Sequence, residues 1–413
     1  MTKRNSLIPE PRELEREIEE ALAGLSTGGI EAPAPELKRR RKIRRSLRTP
    51  REELVVEGKG ETRKVRQAGA ADAEGAFVRE ERRWCEDNLY YFLSTVLDYH
   101  WLYPPLHTKV CRWIQTVPPR RKFLLMPRGH CKSTIVAQGL PLHMAIQPAE
   151  RNLYFPEDAG ADVTVLIVGE RLERAQDHLR VIEAQLSGNQ LFRAFWPHLC
   201  WENPKRQAKK WNDAEMIIPR GRELADPTFR AAGIGAATTG SHPKVMIFDD
   251  LTTEAAANSP TEMDKAIQWS RAATAMLFDQ KQGLIWYTGT RWAVADLPDW
   301  HQNNSPEIEF NQEWRQIVED GEPIYPTKFG YPGCVEELRR IHGTLFPLLY
   351  MNSIGDSTLT DFAASDIRFY ELVGGNIEFQ ENELDAALHQ QMNAPAQPAV
   401  EPNLRGERLT GIV

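Results

Sequence analysis

Paired cysteines are missing from this chain. Its five cysteines, Cys85, Cys111, Cys131, Cys200 and Cys334, are widely spaced and odd in number, and no two form a C-x-x-C pair. That excludes a disulfide framework and the common zinc spacings. No apolar run approaches the ~18 residues of a membrane span, and residues 1–30 are too acidic and polar for a signal peptide. No segment repeats itself at a period of roughly 20–50 residues, which excludes solenoids and propellers. Together these absences predict a soluble intracellular chain with reduced thiols and no membrane contact.

What is present is enough for a sizeable core. The chain has 413 residues, 41% hydrophobic and 26% charged; at ~150 residues per domain this predicts two or three units. The net charge of −7 hides a segregation. Nine basic residues and no acid lie between Lys38 and Arg51, whereas seven acids from Glu371 onward face only Arg405 and Arg408. A basic arm and an acidic tail are expected, rather than a uniformly acidic surface.

Three regions follow. Residues 1–75 are rich in Ala, Gly, Pro, Glu and Arg and are expected to be largely disordered. The exception is Pro9 to Leu25, where Leu14, Ile18, Leu22 and Leu25 recur at helical spacing. Residues 84–372 alternate short apolar strands (Phe123–Met126, Val163–Val168, Val245–Phe248, Leu284–Tyr287) with helical patterns such as Ser133–Ile146, kinked or ended at Pro141, and Leu172–Leu186. Buried strands alternating with helices predict an α/β fold, a mainly parallel central sheet flanked by helices. Residues 373–413 turn to Glu, Gln, Ala, Pro and Asn and are expected to form a tail without further strands.

The strongest local pattern is Phe123-Leu-Leu-Met-Pro-Arg-Gly-His-Cys-Lys-Ser-Thr134. A strand enters a tight loop and a helix follows. In a P-loop of this kind, backbone N–H groups cradle phosphate, the lysine reaches the β and γ phosphates, and the hydroxyl binds Mg²⁺. The stretch departs from G-x-x-x-x-G-K-[ST] at Met126 and Cys131, so a β-α turn with a surface lysine stays open on this pattern alone. Val245-Met-Ile-Phe-Asp-Asp250 is an apolar strand ending in two carboxylates. The first suits a Mg²⁺ shell and the second an attacking water; capping of a strand end is the plain alternative. Leu284-Ile-Trp-Tyr-Thr-Gly-Thr-Arg-Trp292 ends a third strand in small hydroxyl residues around a glycine. Together these motifs predict a nucleotide-hydrolysing fold. His107 and His130 with Cys111 or Cys131 suggest a metal only superficially, because zinc at His130 would obstruct the phosphate.

In this order the motifs resemble those of the large terminase subunits of tailed bacteriophages, ATPases that package DNA. The resemblance covers about Tyr90–Leu372. Tyr103-Pro-Pro-Leu-His107 is similar to the family's adenine-side motif, and Met126–Thr134 to its atypical Walker A, which lacks the first glycine and carries a loop arginine. The stretch Gly233-Ile-Gly-Ala-Ala-Thr-Thr-Gly-Ser-His242 and Thr288-Gly-Thr-Arg-Trp292 are also typical. Phe346-Pro-Leu-Leu-Tyr-Met-Asn352 resembles F-x-x-Q-Y-x-N, with Leu349 in place of Gln. The resemblance implies ATP and Mg²⁺ as cofactors, bound by the loop Pro127, Arg128, Gly129, His130, Cys131, Lys132, Ser133 and Thr134. Ser133 and Asp249 would hold Mg²⁺, and Asp250 would be the catalytic carboxylate, a role the family more often gives to Glu; Glu254 is the substitute. Arg128 would stabilise γ-phosphate charge, or else contact solvent or a neighbouring subunit. Thr288, Gly289 and Thr290 would couple hydrolysis to DNA movement, and Arg291 and Trp292 are coupling or packing residues.

The resemblance further implies double-stranded DNA, a portal protein and a small terminase subunit as partners. It implies a homo-oligomeric ring in the host cell cytoplasm, transiently at the procapsid portal. The family's C-terminal nuclease domain is not expected in the residues after Leu372, where Glu383 and Asp385 lie on one short helical stretch; the nuclease would be encoded separately, or the product truncated. Two other readings stay open: a non-hydrolysing DNA-binding assembly subunit, suggested by Cys131, and a helicase-like translocase, for which a second motor domain is expected.

Overall fold

The four apolar runs named above are hydrophobic at successive positions rather than alternate ones, as strands covered on both faces must be. A computed structural model describes residues 75–353, apart from 237–239, 258 and 294, and three strands beyond Ser353. The arm, the helix expected at Pro9 to Leu25, and Glu383 and Asp385 lie outside the described residues.

Seven strands form one sheet: β1 (Arg121–Leu125), β2 (Val165–Gly169), β3 (Glu215–Met216), β4 (Phe229–Gly233), β5 (Val245–Asp249), β6 (Leu284–Gly289) and β7 (Glu309–Phe310). Their spatial order is β3-β4-β2-β5-β6-β1-β7. Every pairing is parallel except that of the short edge strand β3 with β4. The fold is therefore α/β, as expected, with a mostly parallel central sheet.

Successive strand residues feed opposite cores. Leu124, Ile167, Ile247 and Trp286 pack into one hydrophobic cluster, and Phe123, Leu166, Met246, Phe248 and Tyr287 into the other. The first face is covered by helices α1 (75–87), α2 (Leu89–Thr95), α3 (Pro104–Gln115), the helical run 132–145 ending in α4 (Leu140–Ala145), and α5 (Leu172–Gly188). The second face is covered by α6 (Pro260–Thr274) and α7 (Leu297–Asn304) through Met263, Ile267 and Leu297. Behind them in sequence come the hairpin β8 (Val318–Glu319) and β9 (Glu322–Pro323), then α8 (Cys334–His342) and α9 (Phe346–Met351).

Three expectations are corrected. The described residues are already helical from 75, in α1, so the helical structure extends ahead of residue 84. Pro141 neither ends nor breaks the helix after the loop. It lacks an N–H, and the turn before it widens into a π-helical stretch, Thr134–Gly139, in which Leu140 N–H donates to the Ile135 carbonyl. Gly139 lets this stretch touch α2, because a Cβ there would lie 2.1 Å from Leu93 Cδ2. Finally, the tail contains strands. β10 (Phe369–Val373), β11 (Asn376–Phe379) and β12 (Thr410–Ile412) form an antiparallel sheet in the order β11-β10-β12, so a boundary after Leu372 cuts a strand. The signal was present: Gly374-Gly375 separates two runs of aromatic and β-branched residues, a two-residue hairpin pattern.

Candidate functional site

In open parallel sheets, ligands bind beyond the carboxyl ends of the strands. Here β1, β6 and β5 lie side by side in register, Leu125 opposite Gly289 and Thr288 opposite Asp249. That alignment brings the loop after β1, the carboxylates after β5 and Thr288–Thr290 to one edge. All the residues singled out in these motifs gather there.

The loop is a strained, braced turn. Gly129 has φ 81° and Cys131 φ 62°, and the helix begins at Lys132. Position 131 is where the common pattern carries glycine, and the left-handed backbone there is the reason. A cysteine tolerates it at a cost of about 1–2 kcal/mol. Burial pushes the Cys131 thiol above its ordinary pKa, so it is a poor nucleophile. From outside, Arg128 N–H donates to the Leu349 carbonyl at 2.8 Å and Lys328 Nζ to the Gly129 carbonyl at 2.7 Å. The His130 ring stacks on Phe329 with centroids 4.8 Å apart. Pro127 and Lys132 are buried, Ser133 and Thr134 half-buried, and Arg128 is exposed with its guanidinium 5.9 Å from the Trp292 ring centre.

Opposite the loop, the two aspartates differ. Asp249 Oδ1 accepts from Thr288 Oγ1 at 2.5 Å and Oδ2 from His178 Nε2 at 2.8 Å, and Ser133 donates to the same carboxylate. Burial opposes its ionisation, but the hydrogen bonds from His178, Thr288 and Ser133 outweigh it and hold Asp249 below the usual carboxylate range. Asp250 goes the other way. Burial and the neighbouring Asp249 raise it, while Lys132 and Arg128 pull it down, and the net shift is upward. Its backbone is left-handed at φ 44°, its N–H donates to the Thr288 carbonyl, and its Oδ1 is buried with no hydrogen-bond partner among the described residues. One carboxylate is fixed and ionised; the other is free to take a proton. Glu254, the substitute, is exposed four residues further on.

Sequence reasoning missed His178 on α5 and Gln138 on the π-helical stretch, whose Nε2 donates to His178 Nδ1 at 3.2 Å. Only the juxtaposition of α5 with the helix after the loop shows them. Tyr103 and His107 surround Tyr325, with rings 6.3 Å and 4.9 Å from it. Arg291 is buried and ion-paired with Asp296 at 2.9 Å, a packing role, and its backbone N–H donates to Asn352 Oδ1. Among the described residues no three His, Cys, Asp or Glu side chains cluster to hold a metal. Burial holds His107 at about 4 and His130 at about 3, so both are neutral near pH 7.

A second cleft of about 370 Å³ opens at the opposite edge, beside Thr164, Lys244 and Gly283 ahead of β2, β5 and β6. Its cations Arg222 and Lys244 share Asp158, and Arg222 reaches Asp162 as well. No helix among the described residues is long and apolar enough to cross a membrane. Compared with known proteins, the chain matches no protein-family model and no curated protein.

Proposed function

We propose that this chain hydrolyses Mg-ATP at the carboxyl edge of β1, β6 and β5, and that it is a DNA-packaging motor similar to the large terminase subunits of tailed phages. The observation that carries the proposal is the meeting of Lys132 and Ser133 with an ionised Asp249, a free Asp250 and Thr288 at three adjacent strand ends. The donor set fits nucleotide-borne Mg²⁺, which takes one or two carboxylates and a hydroxyl from protein and the rest from phosphate and water. Bound Mg-ATP would supply the phosphoryl group and the metal's charge. Loop N–H groups and the helix start at Lys132 hold phosphate oxygens. Lys132 keeps a fixed positive charge on them, and Ser133 with Asp249 would hold the metal. Asp250, raised in pKa and with Oδ1 unpaired, takes the proton of the attacking water. Arg128, exposed beside the loop, lends charge to the γ-phosphate.

Thr288 couples this site to movement: its hydroxyl holds Asp249 while its carbonyl holds the Asp250 N–H, so a shift of β6 alters both carboxylates. Duplex DNA as the cargo is supported by the nine cations of Lys38–Arg51, which suit phosphates rather than a core. A portal protein, a small terminase subunit and a ring of copies are the partners this role implies. The test is steady-state phosphate release by the full chain with and without duplex DNA. Mg²⁺-dependent turnover that rises with DNA supports the reading. DNA binding without turnover would favour the non-hydrolysing assembly subunit instead.

A further inference from the structure

Two half-buried groups line up behind the buried metal-side carboxylate of Asp249 at the end of β5: Gln138 on the π-helical stretch and His178 on α5. The Gln138 amide nitrogen can only donate, so His178 Nδ1, 3.2 Å away, accepts. That leaves the ring proton on Nε2, which points at Asp249 Oδ2 at 2.8 Å. The histidine side chain is only 12% exposed and that of Asp249 8%, so water does not substitute for the bond. Thr288 already occupies Oδ1. Both oxygens of the carboxylate are thus fixed from the protein side, and the plane of the group is set before any ligand arrives.

We propose that His178, oriented by Gln138, is a positioning residue that fixes Asp249 for Mg²⁺, acting on metal affinity rather than on the nucleotide itself. The inference rests on the nucleotide-site reading above. Partners that orient a metal-binding side chain typically contribute about 10–100-fold in metal affinity. The lysine and loop contacts to phosphate do not pass through His178, so nucleotide held without metal is unaffected by it. A Gln at 178 still presents an N–H at the reach of Nε2; an Ala presents none.

The experiment uses the full chain and a fluorescent non-hydrolysable ATP analogue, titrated with MgCl₂ and, separately, in EDTA. His178→Ala is expected to raise the Mg²⁺ half-saturation point by about 10–100-fold with affinity in EDTA unchanged. His178→Gln is expected to stay within about threefold of the parent on the same basis. Gln138→Leu, which frees the ring, is expected to give an intermediate shift and decides the matter if His178→Ala does not fold. A Mg²⁺ titration unchanged in His178→Ala overturns the proposal. So does an equal loss in His178→Ala and His178→Gln, or an equal loss in EDTA, since each marks a merely structural histidine. If the parent chain itself shows no Mg²⁺-dependent binding, the nucleotide site falls and this role with it.

Discussion

Two residues of the site hold the left-handed backbone region that side chains rarely adopt, Cys131 at φ 62° and Asp250 at φ 44°. Asn tolerates this region as well as Asp does, so Asp250→Asn keeps the fold and removes only the carboxylate proposed to accept the proton. Turnover should fall by about 10²-fold or more while nucleotide affinity is retained or improved. Parallel measurement of phosphate release and analogue binding checks this, and turnover within threefold of the parent would assign the proton to another group. Cys131 answers to sterics instead. Cys131→Gly should change stability by less than about 1 kcal/mol, the relief of strain offsetting added chain entropy, and leave turnover intact. Cys131→Val puts a β-branched side chain in the same backbone and should cost about 1–2 kcal/mol or more and weaken nucleotide binding. Urea unfolding of both variants separates the two outcomes.

At the scale of elements, β1 is delivered to the loop by a side chain that imitates a strand. Asn311, just past β7, accepts from Leu125 N–H at 2.8 Å and donates to the Leu125 carbonyl at 3.0 Å, continuing the ladder where β7 ends. Asn311→Ala leaves both buried backbone groups unpaired and should cost about 2–4 kcal/mol, read as a lowered urea midpoint. This contact was invisible in the sequence, as was the His178–Asp249 bond, because both join segments far apart in the chain through side chains with no local signature. Strands β1, β2, β5 and β6 were legible because burial on both faces forces unbroken apolar runs. β2 starts two residues later than its apolar run: the turn Gly160–Asp162 leaves Val163 outside the ladder, which opens with Val165 N–H on the Thr228 carbonyl. The loop, Asp249-Asp250 and Thr288–Thr290 were legible because each sits at a strand end, where a reactive side chain next to an apolar run stands out. Strands in the tail are masked by its Glu-, Gln-, Ala- and Pro-rich composition, against which the Gly374-Gly375 pair is a short local signal.

The molecule as a whole carries an acid liability. Burial depresses His107 to about 4, His130 to about 3, His143 to about 3 and His301 to about 4, with Lys328 adding to the effect at His107 and His130 and Glu307 opposing it at His301. An unfolded histidine titrates near 6.5, above all of these, so the stability they confer is complete above about pH 6.5 and is lost as pH falls toward the folded values. Each should remove about 2 kcal/mol by pH 5, and the sum is comparable to the ~5–15 kcal/mol of an ordinary domain. Urea midpoints should therefore drop steeply between pH 7 and 5, before most carboxylates titrate; a flat profile would mean these rings are hydrated. His107 and His130 tie this liability to the candidate site, since the loop itself is braced by a neutral ring. Whether that site hydrolyses ATP is decided by one comparison, Mg-ATP turnover by the full chain and by folded Lys132→Ala. Losing the lysine's fixed charge on the transferring phosphate should lower turnover by about 10²-fold or more. Near-parental turnover in Lys132→Ala, with an unchanged circular dichroism spectrum and unfolding midpoint, would contradict the account.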